Sequence, residues 1–123
     1  RERLSNKILN IIDDVTTKTK KNTGTCINLL FNYGSRKEIE DAIKKINHKS
    51  NYISFRNYLY VPDSYDPDLI IRTGGEMRLS NFMLWQSAYA ELYFTKVLWP
   101  DFKIKNLSLA LDNYTKRKRK FGK

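Results

Sequence analysis

The sequence is poor in several features, and each shortage excludes a class of protein. It has one cysteine, Cys26, which excludes an internal disulfide framework, and one histidine, His48, which excludes a His/Cys zinc site. No apolar run approaches the roughly 18 residues of a membrane span, and no signal-peptide pattern opens the chain. With no internal repeat or low-complexity linker, the 123 residues predict a single soluble, cytoplasmic domain over 1–123.

Acidic residues are also scarce relative to basic ones. The chain has 23 Lys+Arg against 13 Asp+Glu, a formal net charge of +10. Six of the cations lie in the last eight residues: Lys116, Arg117, Lys118, Arg119, Lys120 and Lys123. A positive excess favours an anionic partner, which can be a nucleic acid, a membrane surface or a phosphorylated metabolite.

Apolar residues at helical spacing predict four helices. They cover residues 1–21, 35–46, 80–94 and 107–114. In the second helix, Ser35 followed by Glu38 three positions later matches a capping box. The aromatic, proline-punctuated stretch 52–67 predicts a short helix or an irregular segment.

Short apolar runs between these helices predict strands at 26–31, 68–72 and 97–99, with Cys26 as an inert core thiol. Strands that alternate with helices predict an α/β fold with a largely parallel sheet flanked by helices. Such sheets bind ligands beyond the carboxyl ends of their strands. Arg72 and the glycine-rich turn after it fall at such an end.

The turn after residues 68–72 has an anion-binding pattern. Its glycine pair lets backbone N–H groups approach a ligand, and the predicted helix start at Ser80 favours an anion. Arg72 and Arg78 precede that helix start and repel each other unless an anion joins them. A diphosphate suits the pair because arginine binds phosphate oxygens bidentately. The structural alternative pairs Arg72 with Glu76 and leaves Arg78 solvated.

Glu91 is the candidate metal ligand. Eleven steps of about 100° place it on the Ser80 face of the predicted helix, three turns further along. Its neighbours are apolar or aromatic, so the carboxylate needs a partner. A magnesium ion shared with a phosphate would serve, and a salt bridge with a lysine or arginine is the alternative.

Together these segments form a signature that resembles the cis-prenyltransferases, closest to the bacterial undecaprenyl diphosphate synthases. The matching segments are DLIIRTGGE (68–76), RLSNFMLWQ (78–86), AYAELYF (88–94) and VLWPDF (97–102), with NTG (22–24) and NYGSR (32–36) upstream. The resemblance covers nearly the whole chain. It implies condensation of isopentenyl diphosphate onto an allylic diphosphate, with each new double bond formed cis.

The resemblance also assigns roles. It implies isopentenyl diphosphate ligands at Arg72, Arg78, Leu79 and Ser80. Glu91 would bind the Mg²⁺ that neutralises the diphosphate, and Glu76 would support the arginines. Family members form homodimers in which a C-terminal Arg-x-Gly segment reaches the partner's site. Here that segment reads Lys120-Phe121-Gly122, so Gly122 is retained and the arginine is not.

One family feature is missing from these residues: the Asp-Gly-Asn-type loop that carries the catalytic aspartate. We therefore expect the C-terminal half of a synthase, inactive alone and without a catalytic residue of its own. Peripheral membrane contact through the lipid product is a further expectation. The runner-up is a non-catalytic diphosphate-binding subunit that completes a partner's active site. A nucleic-acid-binding domain is third, and no recognised motif supports it.

Overall fold

The computed structural model describes residues 4–46, 54–62 and 64–119, and the chain divides into two compact units, 1–33 and 34–123. The first unit contains helix α1 (Asn6–Thr19), which confirms the helix predicted over 1–21. The apolar face of this helix is exposed to solvent, since the side chains of Ile8, Ile11 and Val15 are about half exposed.

The segment 26–31 forms no strand, so the predicted buried strand is wrong. Ile27 is 78% exposed and Leu29 is 74% exposed, and Cys26 is exposed rather than a core thiol. A strand needs a neighbour to satisfy its backbone groups. The sheet in the described part of the chain consists of two other strands and does not include this segment.

The second unit begins with helix α2 (Ser35–Lys45), which confirms the helix predicted there. The predicted capping box is wrong, because the N-cap residue is Gly34. Glu38 is instead 1% exposed, and its carboxylate accepts hydrogen bonds from the Tyr60 backbone N–H (2.9 Å) and the Gln86 side-chain amide (3.1 Å). This glutamate therefore ties α2 to two segments that follow it in sequence.

The sheet joins strands β1 (Leu69–Arg72) and β2 (Glu91–Phe94), which run parallel. Leu69 lies opposite Glu91, and Arg72 lies opposite Phe94. The predicted strand at 68–72 and the predicted α/β class with a parallel sheet are confirmed. Arg72 is the last residue of β1, and Glu91 is the first residue of β2.

The helix predicted over 80–94 is wrong. Ser80, Asn81 and Met83 have positive φ angles of 48°, 64° and 46°, which a right-handed helix does not contain. The Leu84 N–H donates to the Ser35 hydroxyl (3.0 Å), a tertiary contact that replaces a bond within a helix. Residues 80–89 therefore form a series of turns, and Ser80 and Glu91 do not share the helical face predicted for them.

The remaining elements are short except for the last helix. Single turns of 3₁₀ helix lie at Phe55–Tyr58, within the segment predicted to be a short helix or irregular, and at Trp99–Asp101. The second of these replaces the strand predicted at 97–99, where Pro100 favours a helical start. Helix α3 (Ile104–Thr115) confirms the last predicted helix. No helix within the described ranges is long and apolar enough to cross a membrane.

Candidate functional site

Arg72 is the centre of the candidate site. Its position at the end of β1 directs the guanidinium toward the turns that follow. Nη1 donates to the Ser80 hydroxyl (3.0 Å) and to the Arg78 carbonyl oxygen. Three of the residues selected from the sequence therefore meet at the carboxyl end of β1.

Arg78 is exposed, and its guanidinium forms an ion pair with the Glu76 carboxylate. The sequence alternative paired Glu76 with Arg72, whereas the structure pairs it with Arg78. The side chains of Arg78 and Glu76 are 64% and 48% exposed, so this pair is solvent-screened and exchangeable. Leu79 is half-buried, and its carbonyl accepts the Phe82 N–H (3.1 Å), which closes the turn that contains Ser80 and Asn81.

The glycine pair does not offer its N–H groups to a ligand, contrary to the sequence expectation. Gly74 N–H donates to the Val97 carbonyl (2.9 Å), and Gly75 N–H donates to the Thr95 carbonyl (2.8 Å). Both glycines have positive φ, 88° and 82°, which a side chain would oppose. Their function in the structure is to lock the turn after Arg72 onto the segment that follows β2.

Glu91 lies at the other end of the sheet from Arg72. The register places it level with Leu69, three residues and about 10 Å along the strand from Arg72. Its Oε2 accepts a hydrogen bond from Arg117 Nη1 (2.7 Å), and the same nitrogen donates to the Leu92 carbonyl (3.0 Å). The salt bridge weighed as the alternative is thus present, and magnesium binding at Glu91 stays a prediction.

A second ion pair, between Arg119 and Asp68, accompanies the Arg117–Glu91 pair. Arg119 Nη1 contacts Asp68 Oδ1 (2.6 Å) and the Tyr114 hydroxyl (3.0 Å), and the hydrogen bond with Asp68 raises the pKa of Arg119 above its ordinary value. The sequence analysis treated the C-terminal basic residues only as an excess of positive charge and did not predict these contacts. No signal in the sequence identified them, because the sequence pattern placed Glu91 in a helix and gave no position for the end of α3 relative to the sheet. Gly122 and Lys120 lie outside the described residues.

The chain is similar to known proteins over nearly its whole length. The family model described as "Putative undecaprenyl diphosphate synthase" matches residues 1–122. An isoprenyl transferase of Thermotoga maritima is 50% identical, with 99% of this chain and 56% of the relative covered. An isoprenyl transferase of Aquifex aeolicus is 43% identical, with 100% and 55% covered.

Two solved structures are also similar. A crystal structure described as a "probable undecaprenyl diphosphate synthase" from Campylobacter jejuni matches with a TM-score of 0.82 and 37% identity, over 98% of this chain and 59% of that one. Lavandulyl diphosphate synthase from Lavandula x intermedia, in complex with dimethylallyl diphosphate, matches with a TM-score of 0.91 and 34% identity, over 98% and 56%. The chain spans about half the length of the curated relatives it matches. Because the family model and these relatives cover nearly all of it, the chain belongs to the undecaprenyl diphosphate synthase family of cis-prenyltransferases.

Proposed function

We propose that this chain supplies the isopentenyl diphosphate site of a cis-prenyl diphosphate synthase, as its C-terminal part. The observation that carries the proposal is the set of hydrogen bonds that Arg72 makes. Among the residues that the structure describes, its hydrogen-bond partners are two neutral oxygens, the Ser80 hydroxyl and the Arg78 carbonyl. An oriented guanidinium with no carboxylate bonded to it, beside a second arginine, favours a phosphate ligand.

Each residue of the cluster has a separate role in this proposal. Arg72 and Arg78 hold the diphosphate through charge-assisted hydrogen bonds. Ser80 Oγ accepts the Arg72 N–H, which leaves its own O–H to donate to a phosphate oxygen. Glu76 orients Arg78 until the headgroup arrives, and an exposed ion pair of this kind contributes only ~0–1 kcal/mol, so exchange costs little.

The chemistry that this site serves is a condensation. A carbon–carbon bond forms between the isopentenyl unit and the allylic carbon as the allylic diphosphate departs, and the isopentenyl unit loses a proton. Anchoring the headgroup through Arg72, Arg78 and Ser80 holds the isopentenyl double bond in one orientation toward the allylic carbon. We place the groups that bind the allylic diphosphate outside these 123 residues.

Magnesium is part of the proposal, with Glu91 as its ligand in this chain. The described residues contain no cluster of three or more His, Cys, Asp or Glu side chains that could hold a metal. A single carboxylate still suits Mg²⁺, which binds through one or two carboxylates together with phosphate oxygens and water. When bound, the ion would neutralise diphosphate charge. The Glu91 carboxylate must first exchange its contact with Arg117.

Three further features belong to the proposed synthase: a homodimer in which Phe121 and Gly122 reach the partner's site, a cytoplasmic location, and peripheral membrane contact through the lipid product. We propose no nucleic-acid partner.

The test is prenyl transfer with farnesyl diphosphate and isopentenyl diphosphate. We expect turnover by the full-length enzyme and no detectable turnover by residues 1–123 alone, because the allylic site is missing. Turnover by the isolated chain would contradict the assignment of a partial site. Isopentenyl diphosphate binding without turnover in the full-length protein would identify the runner-up, a non-catalytic diphosphate-binding subunit.

A further inference from the structure

Asn81 makes a double connection between the candidate site and α2. Its backbone carbonyl accepts the Ser35 N–H (2.8 Å), and its side-chain Oδ1 accepts the Arg36 N–H (2.9 Å). These two donors lie in the first turn of α2, where N–H groups have no partner within the helix. One residue from the 80–89 turns therefore caps a helix that is 45 residues away in sequence.

The backbone at Asn81 is held in a conformation that most residues avoid. Ser80 and Asn81 have φ angles of 48° and 64°, in the left-handed region. Asparagine tolerates this region better than other residues with a side chain, whereas serine there must be held by its surroundings. The bonds from Asn81 to α2 supply that restraint, and the neighbouring Ser80 hydroxyl is then in reach of Arg72.

The approach of the chain at this point is also close. A Cβ added to Gly34 would lie 2.8 Å from Asn81 Nδ2, which is closer than real Cβ contacts. Gly34 itself is extended, with φ −152° and ψ 123°, so its backbone accepts any residue. The absence of a side chain at Gly34 thus serves the Asn81 amide and not the Gly34 backbone.

We propose that Asn81 is a positioning residue for the isopentenyl diphosphate site, because its cap on α2 fixes Ser80 against Arg72. The inference rests on the proposed function and extends it to a residue that contacts neither Arg72 nor, in this account, the substrate. A purely structural role for Asn81 predicts a different result: lower thermal stability with unchanged substrate affinity.

The chain offers a matched control at the start of α3. Asn106 Oδ1 accepts the Lys103 N–H (2.9 Å), so it too is an asparagine amide that accepts a backbone N–H at a helix start. It lies outside the segment that carries Arg72, Arg78 and Ser80. Asn106→Ala should therefore lower thermal stability and leave the isopentenyl diphosphate KM unchanged.

The first experiment measures both substrate KM values, kcat and thermal stability for variants of the full-length enzyme. Asn81→Gly keeps the positive φ and the carbonyl bond but loses the amide bond, so it should raise the isopentenyl diphosphate KM about 3- to 10-fold. Asn81→Ala also opposes the positive φ and should raise it further. The allylic diphosphate KM should not change in either variant.

The second experiment is a double-mutant cycle with Gly34→Ala. Alone, this substitution should displace the Asn81 amide and raise the isopentenyl diphosphate KM. In the Asn81→Gly background the opposing side chain is gone, so Gly34→Ala should add little. Strong coupling between the two positions is expected, because they share one contact.

The results separate the two levels of the account. If wild type uses isopentenyl diphosphate while Asn81→Ala matches Asn106→Ala, with lower stability and an unchanged KM, the positioning role is wrong. Additive effects of Gly34→Ala and Asn81→Gly would contradict the proposed contact. If wild type neither binds nor uses isopentenyl diphosphate, the proposed function is wrong and the positioning role falls with it.

Discussion

Arg72 and Arg117 have the same side chain in opposite surroundings. Arg72 donates to a hydroxyl and a carbonyl, both neutral. Arg117 donates to the Glu91 carboxylate, the Leu92 carbonyl and the Asn113 side chain. The charge of Arg117 is thus neutralised within the chain, whereas Arg72 bonds to no carboxylate among the described residues, and in our proposal a diphosphate supplies that charge. Residue type alone did not separate these two roles.

The Glu91–Arg117 pair allows a matched test of the magnesium proposal. Glu91→Gln and Arg117→Gln both remove the ion pair, but only Glu91→Gln removes the anionic oxygen that attracts Mg²⁺. In the full-length enzyme, Glu91→Gln should raise the Mg²⁺ concentration needed for half-maximal activity. It should also remove most of the magnesium-dependent gain in isopentenyl diphosphate affinity.

Arg117→Gln should leave that magnesium requirement unchanged or lower it, because it frees the carboxylate. Magnesium titrations of activity and of isopentenyl diphosphate binding give both quantities. If the two variants have the same titration curves as each other, Glu91 acts only as the structural partner of Arg117.

At the scale of elements, the sequence pattern predicted the three helices, whose backbone bonds are local, and strand β1, which is a continuous apolar run. Helices α1, α2 and α3 and strand β1 lie where the pattern indicated. The helix predicted over 80–94 was wrong although its apolar residues have helical spacing. Residues 80–89 form turns instead, in which Asn81 and Leu84 bond to the start of α2. Such long-range bonds leave no periodic signal.

The same limit applies to the candidate site. Arg72, Arg78 and Ser80 could be selected from the glycine turn and the family signature, and the structure brings them together. The Arg117 contact with Glu91 could not be selected, because it depends on where α3 ends relative to β2. The strand predicted at 26–31 was wrong for a related reason, because the apolar content of a segment does not specify which strand it pairs with.

Helix α2 gives a pH-dependent prediction. Two hydrogen bonds hold the pKa of Asp41 below its ordinary value of 3.8. The larger effect comes from the Lys37 ammonium, and the smaller from the Tyr60 hydroxyl (2.7 Å). A carboxyl whose pKa is lower in the folded state stabilises the fold above the unfolded pKa and loses that contribution as pH falls through the folded pKa. Asp41 stabilisation is therefore present at neutral pH and lost in acid.

Asp41→Asn in the full-length enzyme should lower Tm at pH 7, and the difference from wild type should shrink as pH falls below 3.8. Thermal unfolding followed by circular dichroism at a series of pH values measures this. Asp112→Asn is a suitable comparison, because Asp112 is an exposed aspartate on the other helix of this unit, α3. A Tm difference for Asp41→Asn that is constant down to acid pH would contradict the assignment.

At the scale of the whole molecule, the chain leaves much apolar surface uncovered. Trp99 is 75% exposed, Ile104 is 83% exposed and Tyr65 is 93% exposed. Exposed apolar residues mark an interaction site when they form a large contiguous patch, whereas isolated ones are ordinary on protein surfaces. In the proposed synthase, the remaining part of the enzyme and a second subunit are the partners that would cover them.

The C-terminal tail tests the proposed dimer. Deletion of residues 120–123 should raise the isopentenyl diphosphate KM without abolishing dimerisation, because Gly122 would no longer reach the partner's site. Lys120→Arg should be neutral or mildly favourable, because arginine restores a planar fork for phosphate.

Mixing a tail-deleted subunit with an Arg72→Ala subunit distinguishes the two possible arrangements. If the tail acts across the interface, one site of each heterodimer carries both lesions and the other carries neither, so activity should partly recover. If heterodimers form by native mass spectrometry and activity does not recover, the tail acts within its own subunit or has no role at the site.

In the proposed function, the Arg72 cluster binds the diphosphate of isopentenyl diphosphate and not that of the allylic substrate. The most direct measurement is calorimetric titration of each diphosphate into full-length wild type, Arg72→Ala and Arg56→Ala. Arg56 is the control, because it is an arginine held by Asp66 (2.8 Å) and the Ser64 carbonyl in a different part of the unit. A charge-assisted contact is worth about 1.5–3 kcal/mol, so Arg72→Ala should weaken isopentenyl diphosphate about 10- to 150-fold and leave allylic diphosphate affinity unchanged. Arg56→Ala should change neither affinity. Equal losses for both diphosphates in Arg72→Ala, or no loss for either, would contradict the account.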